Sequence, residues 1–222
     1  MIITRENLRE WRVGAVIYRW FLRHFPQDDS YADVHHALID EGYTDWADSL
    51  VEYAWNKWLT DENFARQEVS SMQKLVTEPE EPTFCRQFSS AEDNARVGCC
   101  DDNARIVTAG YAAQIASTGY SVRMASVGFN SHIGSSGERA RVAVVGNSTR
   151  ISSAGDGSRI ANAGMRVRVC TPGERCHVAS NGDLVQIASF GANAKIANSG
   201  DNVHIIASGA NSTVVSTGVV DS

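Results

Sequence analysis

The sequence predicts an α+β chain, mainly β by length: a small helical domain followed by a parallel β-solenoid of nine-residue repeats, two repeats per coil. Three observations carry this. From Asp93 to Gly218, fourteen nonapeptides follow one another without insertion, beginning DNARVGCCD, DNARIVTAG and YAAQIASTG. The fifth position is always Val, Ile or Met, and the ninth is Gly in thirteen of the fourteen, Asp101 being the exception. A fixed short period means stacking, because one repeat cannot bury its own apolar face. The composition also divides: all five Trp lie at or before Trp58, whereas the repeat glycines begin at Gly110.

Residues 1–76 are expected to form the helical domain. Thr4 can cap a helix carrying Leu8, Trp11, Val16, Trp20 and Phe21 on one face. Phe25-Pro26 ends it, since the residue before proline is pushed out of helical geometry. Ser30 with Asp33 resembles a capping box, Val34, Ala37 and Leu38 line the next helix, and Gly42 stops it. Thr44 or Asp45 opens a third helix bearing Trp46, Leu50, Tyr53, Ala54 and Trp58. Thr60-Asp61-Glu62-Asn63 opens a fourth, running to about Leu75. Residues 77–83 read as an acidic, Pro-rich linker. His35 and His36, as helix neighbours, point about 100° apart and are poor joint metal ligands. They are expected at the surface or half-buried. Helical spacing assigns the tryptophans to core packing.

The solenoid is expected over 84–222, with Phe84–Glu92 as a degenerate first half-coil that places Phe88 at the aliphatic position. Alternation turns positions three, five and seven inward. Position nine is the expected turn, where glycine allows positive φ. Two repeats close a coil of about eighteen residues, and seven coils at ~4.8 Å give a roll of roughly 30–35 Å. Calcium-binding nonapeptide rolls share the period, but their paired glycines and recurrent aspartate do not recur here. No metal or other cofactor is expected.

Position four carries the suggestive chemistry. Alternate repeats stack Arg105, Arg123, Arg141, Arg159, His177 and Lys195 in one column, which is expected to face solvent. Position-one acids of the same repeats (Asp102, Glu138, Asp156, Glu174) are placed to pair with it. The column is a candidate binding surface, together with the position-one aromatics Tyr111, Tyr120 and Phe129. Nucleic acid is a possible partner but not the favoured one. The first 92 residues hold 17 acids against 9 Lys and Arg, a net −8, and the remainder 9 against 11, a net +2. Backbone affinity scales with the phosphates neutralised, and so small an excess argues against a strong polyanion binder.

The C-terminal stretch 210–220 carries no charge, so the solenoid end is expected to be covered by a second copy. Val214, Val215, Val219 and Val220 form the candidate edge of a two-fold end-to-end dimer. The opening residues lack the pattern of a secretory signal, and no apolar run reaches 18 residues, so no membrane partner is expected. Five cysteines without a C-x-x-C pair read as free thiols in a reducing cytoplasm.

Three features resemble a family of small phage and prophage proteins of enteric bacteria. They are the start Ile3-Thr4-Arg5-Glu6, the segment YADVHHALIDEGYTDWADSLVEYAW (Tyr31–Trp55) and a tail of NAxIASxG-like repeats. The resemblance implies a phage or prophage origin and little chemistry. No catalytic constellation is legible: polysaccharide-cleaving β-helices carry their acids on loops, and these repeats have no insertions. Ice binding needs regular Thr rows, and position eight offers only Thr118 and Thr217. The expected function is therefore a non-enzymatic interaction or scaffold protein of the host cytoplasm. The solenoid would be its binding surface or spacer, and the acidic head would contact an unknown host protein. The alternatives are a virion or adhesin-type component, or polyanion binding through the arginine column.

Overall fold

The computed structural model describes residues 1–61, 64, 66, 68, 69 and 87–218, with the side chain of Thr44 excepted. It divides into two compact units, Met1–Thr60 and Asp61–Ser222. The boundary expected after residue 76 and the linker 77–83 lie outside the described residues. Of the fourth expected helix, Phe64, Arg66, Glu68 and Val69 are helical and group with the solenoid unit.

The first unit holds β1 (Ile2–Ile3), α1 (Arg5–Glu10), α2 (Ala15–His24), β2 (Asp29–Ser30), α3 (Tyr31–Asp40) and α4 (Thr44–Trp58). Thr4 caps α1 in a full capping box with Asn7. The single first helix expected from the apolar spacing is two helices. Arg12 turns left-handed at φ 52°, Arg12 N–H donates to Arg9 O, and Val13 N–H donates to Leu8 O. This pattern closes α1 before Gly14 opens α2. The break leaves Val16, expected inside, 63% exposed. Gly42, at φ +78°, closes α3 in the same way, with Tyr43 N–H bonded to Leu38 O. The short pairing of β1 with β2 has no clear signal in the sequence. Trp20 and Trp55 are buried, and Trp11 stacks on Tyr53 at 5.1 Å, so the tryptophans do pack the interior. His35 is buried too, contrary to the expected surface or half-buried setting.

In the second unit every strand occupies positions four to seven of one repeat. An eight-stranded sheet is built from β3 (Gln87–Ser90), β5 (Arg105–Thr108), β7 (Arg123–Ser126), β9 (Arg141–Val144), β11 (Arg159–Asn162), β13 (His177–Ser180), β15 (Lys195–Asn198) and β17 (Thr213–Ser216). A seven-stranded sheet holds β4 (Arg96–Cys99), β6 (Gln114–Ser117), β8 (His132–Ser135), β10 (Arg150–Ser153), β12 (Arg168–Thr171), β14 (Gln186–Ser189) and β16 (His204–Ala207). All pairings are parallel with an offset of eighteen residues, as in Ile160↔Val178 and Ile151↔Val169. The chain is thus a parallel β-solenoid of about seven coils. The position-five aliphatics of both sheets from Val97 to Ile205 meet in one core, and Phe88 packs against it.

The turns differ from expectation in one respect. Positive φ falls at position two of every repeat, from Asn94 (φ 58°) to Asn211 (φ 57°), and not at the ninth-position glycines. Asn is the commonest residue there because its short polar side chain tolerates the left-handed region. The ninth-position glycines answer to space instead, since successive coils approach closely at them.

Inside the coil, polar side chains close the corners. Ser131, Thr149 and Ser158 each donate to the carbonyl of the glycine three residues earlier, at 2.8–3.2 Å. Asn162 brackets Gly164 with two bonds and reaches Ser180 Oγ of the next coil at 3.2 Å. These corner groups are thereby satisfied without breaking the period.

Candidate functional site: the two outer faces of the solenoid

The two sheets present the same pattern outward: a column of long polar side chains at position four beside small residues at position six. Their surroundings differ. On the eight-stranded sheet Arg105, Arg141, Arg159 and His177 are buried, and Arg123 and Lys195 are half-buried. The candidate binding column is therefore not the solvent-facing ladder expected. Its position-six neighbours Ala125, Ala143, Ala161, Ala179 and Ala197 are at most 2% exposed. The described residue that accounts for part of this cover is Glu68, whose buried carboxylate forms an ion pair with Arg159. Arg141 donates to Ser121 Oγ at 3.0 Å.

Two of the four position-one acids, Asp102 and Asp156, do other work than expected. Asp102 Oδ1 accepts the backbone N–H of Tyr120, and Asp156 Oδ1 that of Glu174, each at 2.8 Å. On the opposite edge Asp93, Asn147 and Asp183 repeat the bond one coil on, at 2.7–2.8 Å. At these five repeats an Asp or Asn at position one thus ties its corner to the next coil.

Tyr111, Tyr120 and Phe129 are all exposed, yet they do not form one patch. Tyr111 and Phe129 are stacked neighbours on one edge, where Ala112 N–H donates to Phe129 O. Tyr120 stands a half-coil away on the other edge, with the Arg139 guanidinium 5.5 Å from its ring. At the far end Val214 is 42% exposed and Val215 half-buried, and Val219 and Val220 lie outside the described residues.

The seven-stranded sheet supplies the open face. Its position-four column, Arg96, Gln114, His132, Arg150, Arg168, Gln186 and His204, is exposed throughout. Beside it run Gly98, Ala116, Gly134, Ser152, Cys170 and Ala188, ending at Ile206. Together they line a groove of about 1140 Å³ that runs along the sheet and has no carboxylate in its lining. Sequence reasoning singled out the column that is mostly buried, yet position six carried a signal. It is uniformly Val or Ala along the eight-stranded sheet from Val107 to Val215, as a covered face requires, and mixed along the other. Elsewhere, the head holds Glu41 between two donors: Trp20 Nε1–H at 2.7 Å and His24 Nε2 at 2.9 Å. Among the described residues no three His, Cys, Asp or Glu side chains gather as a metal cluster, and no helix is long and apolar enough to cross a membrane.

Fold and faces together define a helical head joined to a parallel β-solenoid with one covered and one open face. Residues 1–59 match the family described as the YdhT N-terminal domain. The chain is also similar to the uncharacterized protein YdhT of Escherichia coli strain K12, 83% identical over 101 residues, which is 46% of this chain and 37% of that protein. The matched region thus spans little over a third of that relative's length. No solved structure matches.

Proposed function

We propose that this chain is a non-enzymatic interaction scaffold of phage or prophage origin, acting in the cytoplasm of an enteric host. The observation that supports it is the open groove of the seven-stranded sheet. It is an uninterrupted surface about 29 Å long at ~4.8 Å per strand gap, built on a scaffold whose period never breaks. The acidic head contacts a host factor in this reading, and the solenoid supplies a binding surface or a rigid spacer. Uncovered strand edges invite pairing, and the exposed Val214 supports a second copy at the C-terminal end.

A virion or adhesin-type role is the alternative in which the solenoid is only a spacer. Polyanion binding through the Arg105–Lys195 column has less support, because most of that column is buried.

The test is a pull-down of the tagged full chain from host lysate, with and without nuclease and at two salt concentrations. A stoichiometric protein that survives nuclease supports the scaffold. A haul lost to nuclease and salt would move the function to nucleic acid. Light scattering of the purified chain at micromolar concentration tests the second copy: a monomeric mass removes the dimer.

A further inference from the structure

We infer that the open face of the seven-stranded sheet docks an acidic amphipathic helix of a partner protein. The inference rests on the scaffold reading above and names the partner's chemistry.

The chain itself supplies the precedent. Both sheets carry a cationic position-four column beside a floor of small position-six residues. On the eight-stranded sheet that column is buried, and a residue of helical backbone, Glu68, places its carboxylate on the central Arg159. The seven-stranded sheet repeats the arrangement with Arg150 and Arg168 side by side in register, flanked by His132 and Gln186. These four are exposed, and the groove they line contains no acid. Adjacent like charges on neighbouring strands are unfavourable, and a carboxylate brought between them relieves this.

The periods also match. Strands repeat at about 4.8 Å and a helix at about 5.4 Å per turn, so a helix laid along the solenoid axis offers one side chain to each coil. Six strand gaps make about 29 Å, the length of a helix of about 19 residues. Glu or Asp at i, i+3 or i+4, and i+7 meets the Arg and His column. The adjoining aliphatic stripe rests on the floor at Gly98, Ala116 and Gly134, where small residues leave room for it. Single-stranded nucleic acid could also follow a cationic column, but the covering chemistry this chain already uses is a carboxylate on a helix.

The test is fluorescence anisotropy of the full chain with a labelled 19-residue Ala/Leu-based helical peptide. The peptide carries Glu at every third or fourth position along one stripe, and a control carries Gln at the same sites. The Glu peptide is expected to bind at least tenfold more tightly than the Gln peptide. R150E/R168E is expected to weaken it at least twentyfold, and R150Q/R168Q by an intermediate factor, with an unchanged β-sheet circular dichroism spectrum in both. Equal binding of the two peptides, binding indifferent to both double variants, or tighter binding of a 20-nucleotide single strand would each overturn the assignment. The pull-down separates the two readings. A captured protein that R150E/R168E retains leaves the scaffold standing and removes helix docking. An empty pull-down with a binding Glu peptide does the reverse.

Discussion

Gly128 lies directly over Gly110: a Cβ built on Gly128 would fall 1.9 Å from the Gly110 carbonyl oxygen. The obstacle is backbone, which cannot rotate aside as a side chain can. Gly128→Ala should therefore cost about 3 kcal/mol, the upper range of overpacking penalties. Gly98→Ala is the matched control, because nothing lies within 4 Å of its added Cβ. It should stay within about 0.5 kcal/mol of the parent. Urea unfolding of the two variants decides the matter; equal midpoints would mean that the coils spread at no cost.

The fold was legible to the extent that it depends on a period. The fifth-position aliphatics and the nine-residue spacing announced the eighteen-residue coil, because burial of a stacked face leaves a mark in every repeat. What depends on the surroundings of the stack was not legible. Gly128 and Asn130 both belong to one corner, and only the backbone shows that Asn130 takes the positive φ while Gly128 takes the close approach. The burial of Arg141 was equally hidden. Arginine at an outward position reads as a solvent group, and the carboxylate that meets the neighbouring Arg159 comes from Glu68, outside the repeats. The uniform position-six alanines from Ala125 to Ala197 were the trace it left.

Position two offers a stabilising substitution. Leu184 holds φ 58° and is 43% exposed, so it bears the left-handed penalty without a core to fill. That penalty is about 1–2 kcal/mol for an ordinary residue and smaller for Asn. Leu184→Asn should raise stability by about 1 kcal/mol, read as a higher urea midpoint with an unchanged slope. A lower midpoint would show that the exposed leucine makes an apolar contact worth more than the backbone strain.

The ion pair of Glu68 and Arg159 lies at 2% and 5% side-chain exposure. Breaking a buried pair strands its partner charge, which costs about 3–5 kcal/mol. Glu68→Ala and Arg159→Leu should each destabilise the solenoid unit by that order. The double variant should be less damaging than the sum, because the second change removes the stranded charge. Additive single effects in the double-mutant cycle would mean that the two side chains act independently.

Cys176 provides a pH probe of the solenoid interior. Its thiol lies 3.2 Å from the carbonyl oxygen of Gly173, in the place Ser158 takes in its own coil, and burial raises its pKa from 9.0 to about 11. The folded state thus resists ionisation more than the unfolded chain does. The contribution is whole below pH 9 and is lost as pH rises from 9 to 11, where the unfolded thiol ionises first. At 1.36 kcal/mol per unit the full loss is about 2–3 kcal/mol. Urea midpoints at pH 8 and pH 11 should fall further for the parent than for Cys176→Ala, which lacks the titrating group. In the folded protein at pH 8, iodoacetamide should alkylate the exposed Cys100 and leave Cys176 untouched until denaturant is added. Parallel midpoint shifts in the two proteins, or early labelling of Cys176, would show that water reaches this corner of the coil.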